Sequence, residues 1–114
     1  MPHRDWRLRL TDIVESAEKI REYVAGMDLE GFSRDSKTVD AVVRNLEVIG
    51  EAASSVPEWL QSKYPEVPWV EMRGMRNVLA HECFGLSLGI AWQTAQVDLP
   101  ALVSRVKTIL EQER

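Results

Sequence analysis

The stretch SKTVDAVVRNLEVIGEAAS, residues 36–54, decides the reading of the fold. Val39, Val42, Leu46, Ile49 and Ala53 recur along it at steps of three and four. On a helix of about 3.6 residues per turn that spacing gathers them into one apolar stripe, with Arg44, Glu47 and Glu51 off it. The pattern predicts a helix over 36–54, begun by a cap at Asp35 or Ser36.

Working outward, Leu10, Ile13, Ala17, Ile20 and Val24 repeat the same steps and predict a helix over 5–25, with Gly26, Asp28 and Gly31 as stop and loop signals. On the other side, SSVPEWLQSKYPEVPW holds three prolines, and Pro57 and Pro68 each stand where a helix can start. One short helix is expected there, then a longer one from Pro68 with Met72, Met75, Val78 and Leu79 on its apolar side, ending before Gly85 and Gly89, read as loop residues. The last stripe, Trp92, Ala95, Leu99, Leu102, Val106 and Ile109, contains Pro100, which removes a backbone hydrogen bond and predicts a kinked helix or two abutting ones. No alternating strand pattern of useful length occurs. The expectation is an all-α fold, an antiparallel up-and-down bundle of four to five helices, forming a single domain over residues 1–114.

Composition narrows the functional classes. Apolar residues make up 45% and charged residues 28% of the chain, the balance of a soluble globule rather than a disordered tail. The single cysteine, Cys83, excludes an intrachain disulfide and suits a reducing compartment. The N-terminus MPHRDWRLRL is charged from its start, and no apolar run approaches the roughly 18 residues of a membrane span, so a cytoplasmic protein is expected. The formal net charge of −4 gives no broad electropositive surface, so a nucleic acid must be met by a local patch.

The chemistry-bearing segment is MRNVLAHECFG, residues 75–85. Arg73, Asn77 and His81, spaced by four, form a polar row, while Arg76 and His81, five apart, lie about 140° from each other on its two rims. They are poorly placed to grip one atom from one straight helix. Either the helix ends near Ala80 and His81 turns, or a two-fold dimer sets Arg76 of one chain beside His81 of the other. Doubling would give two histidines, one to take the proton from a 2′-hydroxyl and one to donate to the leaving 5′-oxygen. Arginine would offset charge growing on the phosphate, and Asn77 would orient His81 or the phosphate. No cofactor is needed for that chemistry. The plainer account is that Arg, Asn and His on a helix face make interface hydrogen bonds or meet solvent, and the Arg-x4-His spacing is short enough to recur by chance.

The order VDAVVRNLEVIGEAA, VPEWLQSKYPEVPW, MRGMRNVLAHECFG and a final Trp92 followed by VDLPAL resembles the HepT-like branch of the HEPN superfamily over most of residues 38–103. That resemblance implies a helical homodimer with a composite cleft. It also implies a metal-independent endoribonuclease, the toxin of a type VII toxin–antitoxin pair whose antitoxin is a minimal nucleotidyltransferase (MNT). The family motif falls on Arg76, Asn77, His81 and then Cys83, which implies Arg76 and His81 as catalytic residues and Asn77 as an orienting one; Arg73, from the polar row rather than the motif, is expected to orient or bind RNA beside it. Where the family carries a tyrosine, thought to receive AMP from the antitoxin, this chain has Cys83. Tyr23 and Tyr64 lie outside the motif and read as packing residues, which leaves the modification site open.

His81, Cys83 and a distant His3 are too few ligands for a zinc site, so no metal is expected, and Cys83 reads as a small apolar filler. Glu51 stands where it can orient Arg76 or His81 from a neighbouring helix, or simply join a solvated charge row. Trp59, Trp69 and Trp92 read as core or interface anchors, with base stacking as a second option for Trp69, and Trp6 as a pin for the first helix. Two further accounts stand beside the nuclease: a non-catalytic binding subunit of a nucleotidyltransferase, and a bare helical dimerisation module.

Overall fold

The computed structural model describes the backbone of residues 2–80 and 86–113 and the side chains of residues 6–76 and 88–113. His81, Cys83 and Gly85 lie outside the described residues, as does the side chain of Asn77. Every described element is helical, as the stripes require: α1 (Pro2–Val24), α2 (Leu29–Arg34), α3 (Ser36–Ser54), α4 (Glu58–Lys63), α5 (Trp69–Ala80), α6 (Leu86–Gln93) and α7 (Leu99–Gln112), with a π-helical turn over Thr94–Asp98. The four longer helices α1, α3, α5 and α7 make the bundle.

The stripes are buried as spaced. Leu10, Ile13, Ala17, Ile20 and Val24 of α1 meet Val42, Leu46, Ile49 and Ala53 of α3 and Leu99, Leu102, Val106 and Ile109 of α7 in one continuous core. Asp35 starts α3: its carboxylate accepts the Thr38 N–H at 3.1 Å, and that bond holds the carboxyl below its ordinary range. Long-range contacts fix the directions. Glu18 pairs with Lys107 at 3.1 Å while Arg7 donates to the Glu113 carbonyl, so α1 and α7 run antiparallel. Trp6, near the start of α1, packs edge-on against Trp59, just past the end of α3, with ring centroids 6.0 Å apart, so α1 and α3 are antiparallel as well.

Three local expectations change. The segment read as a loop around Gly31 contains α2. Asp28 caps it, accepting the Gly31 N–H at 2.8 Å, and fully buried Phe32 holds it against Trp92 with ring centroids 5.3 Å apart. Gly26 does supply the stop, at φ +78°, where a residue without Cβ is favoured. Gly89, read as loop, sits inside α6. The interruption predicted at Pro100 takes a specific form: the Leu99 N–H bonds back to the Thr94 carbonyl, widening the turn to i→i+5 just before the proline enters the first turn of α7. A widened turn relieves the clash a proline ring makes with the carbonyl four residues earlier. Among the described residues no helix is long and apolar enough to cross a membrane.

Candidate functional site

α5 is the element that carries Arg73, Arg76 and Asn77, and its seating is strongly determined. Trp69 at its start is buried and donates its indole N–H to the Tyr64 carbonyl at 2.9 Å, while Met72, one turn on, is fully buried. This placement removes Trp69 from any role in base stacking. Tyr64 is in turn braced: its phenol donates to Glu113 at 2.7 Å, and Lys63 reaches the same carboxylate at 2.6 Å. The bond to Glu113 is the main cause of the Tyr64 hydroxyl being pushed up to about 12. The Lys63 ammonium, followed by the Tyr64 hydroxyl, holds the Glu113 carboxyl below its ordinary range. Tyr64 is thus part of the packing, as expected, whereas Tyr23 is partly exposed.

Further along, α5 lies directly on α3 at Gly50. A Cβ built there would stand 2.9 Å from the Arg76 backbone nitrogen, 3.1 Å from the Arg76 Cβ and 3.2 Å from the Met72 carbonyl oxygen. Glycine is therefore what allows the two backbones to touch, and the touch delivers Arg76 to the next residue of α3. Arg76 Nη1 donates to Glu51 Oε1 at 2.8 Å. Of the two partners expected for Glu51 from a neighbouring helix, the structure supplies Arg76.

Arg73, one turn earlier, points elsewhere. Its Nη1 donates to Gln61 Oε1 at 2.6 Å, and the Gln61 amide donates to the Val56 carbonyl at 2.9 Å, so Arg73 ties α5 to α4. The backbone of Asn77 continues α5 on the turn after Arg73. The described structure thus sends Arg73 and Arg76 in two directions, one to α4 and one to α3.

Arg76 and Glu51 stand at the edge of an open cleft of about 370 Å³ between α1, α3 and α5. Six charged side chains line it as three pairs from one helix or two: Arg9 with Asp12 at 3.5 Å, Arg44 with Glu47 at 4.0 Å, and Arg76 with Glu51. A guanidinium has five N–H donors, so one carboxylate contact leaves most of each fork open to a second anion. The charge row expected on α3 is present in the Arg44–Glu47 pair, but it faces a cleft. Arg9 was not legible as a member of this site, because nothing in the spacing of α1 points across to α5. Among the described residues no group of three or more His, Cys, Asp and Glu is arranged to hold a metal ion.

Comparison with known proteins places this geometry in context. The family described as "Ribonuclease HepT-like" matches residues 13–109. A protein named "Putative RNase" from Caldanaerobacter subterraneus subsp. tengcongensis is 40% identical over 105 residues, spanning 92% of this chain and 94% of the relative. Another of that name from Methanocaldococcus jannaschii is 38% identical over 97% of this chain and 92% of its own length. A "Probable ribonuclease HepT" from Thermococcus cleftensis is 38% identical over 107 residues, 94% of each chain. No solved structure matches.

Proposed function

The chain belongs to the HepT-like ribonuclease family, and we propose that it is a single-domain, metal-independent endoribonuclease acting as a homodimer, the toxin of a pair whose antitoxin is a minimal nucleotidyltransferase. The observation that carries this reading is the family match over residues 13–109, within which Arg76 is presented by Glu51 at the edge of a charged cleft. Arg76 would hold non-bridging phosphate oxygens and offset the charge that grows on them, while His81 moves the proton between the 2′-hydroxyl and the leaving 5′-oxygen. Glu51 acts on Arg76 as a positioning residue. It takes one donor of the fork, fixes the plane of the others, and leaves Nη2 and Nε to meet phosphate. Asn77 orients His81 or the phosphate.

A second reading, a non-catalytic subunit of a nucleotidyltransferase, is favoured by one feature, Cys83 where the family has the tyrosine that receives AMP. Incubation of purified protein with RNA in EDTA separates the two. The nuclease reading expects cleavage that disappears in His81→Ala. Activity abolished by EDTA in the unaltered protein overturns metal independence, and inertness with or without divalent cations, in a preparation that still binds a nucleotidyltransferase, favours the subunit.

A further inference from the structure

The cleft extends away from Arg76 and Glu51 along α3, and what lines it there is unused by the chemistry above. Arg44 lies on α3 seven residues before Glu51, about 10 Å along the helix axis at 1.5 Å per residue. Its side chain is 75% exposed and its partner Glu47 stands at 4.0 Å, the loosest of the three pairs. Arg9 reaches the same cleft from α1. Its Nε is buried without a hydrogen-bond partner among the described residues, while its Nη2 stands 3.5 Å from Asp12. One turn before Arg9 on the same helix comes Trp6, and against Trp6 stands Trp59. The Arg7 guanidinium sits 4.9 Å from the centre of the Trp6 ring, so the open ring of the pair is Trp59, 53% exposed. Trp59 comes eight residues after Glu51, on the side opposite Arg44, and its contact with Trp6 sets it one helical turn from Arg9. An aromatic face for a base thus stands beside a cleft whose arginines can take the backbone, the two elements that hold single strands.

We propose that a short single-stranded segment of RNA flanking the cleaved phosphate lies along the α1–α3 groove, its phosphates on Arg44 and Arg9 beside Arg76, and a base on the open face of Trp59. This rests on the ribonuclease reading and names where its substrate runs. The carboxylates of the groove weaken its attraction for phosphate without blocking it. Asp12, Glu47 and Glu51 each engage part of one guanidinium and hold it in place, and an exposed pair of this kind is worth at most about 1 kcal/mol, so phosphate can share or replace the carboxylate. The three arginines and three carboxylates of the cleft balance, so within a chain of net charge −4 it is a locally neutral place where phosphate meets open guanidinium donors, and acidic groups more than about 10 Å away are screened at ordinary ionic strength.

The test is fluorescence anisotropy with a labelled 2′-O-methyl oligonucleotide, which binds but offers no 2′-hydroxyl to attack, alongside cleavage of the matching RNA. Arg44→Gln is expected to weaken binding several-fold and to lower the salt slope by about 0.7, the amount lost with one single-strand phosphate contact. Trp59→Ala is expected to weaken it at least fivefold, with Trp59→Phe restoring most of the loss. Arg34→Gln, which removes an equal charge from α2 outside the groove, is expected to change nothing. In cleavage the effects fall on KM, with kcat near that of the unaltered protein. Unchanged binding in both Arg44→Gln and Trp59→Ala, or an equal loss in Arg34→Gln, overturns the groove. If the protein binds the oligonucleotide through these residues but cuts no RNA, the groove stands and the ribonuclease reading fails. If it cuts RNA and ignores these substitutions, the reverse holds.

Discussion

Replacing Gly50 by alanine tests how the fold builds the site. In an isolated helix the change is favourable by about 0.5–1 kcal/mol, because alanine loses less backbone entropy than glycine. Here the added methyl carbon would stand 2.9 Å from the Arg76 nitrogen and 3.2 Å from the Met72 carbonyl oxygen, whereas ordinary contact begins near 3.4 Å. Both obstacles are backbone atoms of α5, so no side-chain rotation relieves them. The helices must separate by about 0.5 Å, the difference between 2.9 and 3.4 Å. Forcing apart a close-packed contact costs about 1–3 kcal/mol, which outweighs the gain in propensity at all but the lowest value. A net loss of roughly 1 kcal/mol corresponds to a fall in Tm of about 4 °C for a chain of this size. The same displacement moves the Arg76 main chain away from Glu51, so cleavage should fall more than the stability loss alone explains. Circular dichroism melting and cleavage at 20 °C, well below the transition, separate the two effects. A Tm that rises in Gly50→Ala with full cleavage would show that the helices yield without consequence, and the reasoning would be wrong.

Two further outcomes follow from the same contacts. Glu51→Gln keeps the shape of the side chain and removes its charge; because Glu51 is exposed, stability should move by less than about 0.5 kcal/mol, while loss of the fixed Arg76 fork lowers kcat on the order of tenfold, as read from steady-state cleavage of a short RNA. At the other end of the bundle, Glu113 sits below its ordinary carboxyl range in the folded state, so its contribution is present above the unfolded value of 4.5 and is lost as pH falls through the folded one. Tyr64, raised to about 12 from 10.0, contributes fully below pH 10 and loses that contribution as pH climbs towards 12. Denaturant melts across pH should therefore show both slopes, and Glu113→Gln should flatten the acid one; an unchanged acid slope in that variant refutes the brace.

What the sequence made legible follows the reach of each interaction. The stripes of α1, α3 and α7 could be read because burial of one face by each helix leaves a period of three and four over fourteen residues or more. α2 could not, since six residues make fewer than two turns and a single buried side chain, Phe32, carries the whole segment. Gly89 misled for a related reason: neighbouring residues hold α6 in place, so a residue of poor helix propensity is tolerated inside it. Among the tryptophans the sequence offers base stacking to Trp69 for its place beside the motif, yet Trp69 is committed to the core by the Tyr64 carbonyl while Trp59 is left half open against Trp6.

The site shows the same division more sharply. Arg76 was visible as a motif residue, and Glu51 as a candidate partner one helix away, because both stand off apolar stripes whose facing could be anticipated. Gly50 carries the step between those two observations. Its lack of a side chain lets α3 and α5 meet backbone to backbone, and this shortens the gap enough for a carboxylate on one helix to hold a guanidinium on the other at 2.8 Å. Arg9 enters the cleft only because α1 packs antiparallel against the same face of α3, a long-range consequence of core burial with no local signature. The arginines at this cleft thus come from three separate helices, Arg9, Arg44 and Arg76, brought together by burial of residues with no charge of their own. That is how a chain with an excess of acidic residues can still present a place for phosphate. Each arginine is accompanied by a carboxylate that orients it and lowers the local field, so binding should depend on the geometry of several forks rather than on net charge. Removing the three carboxylates together would then raise affinity for any polyanion while loosening Arg76, trading placement for attraction.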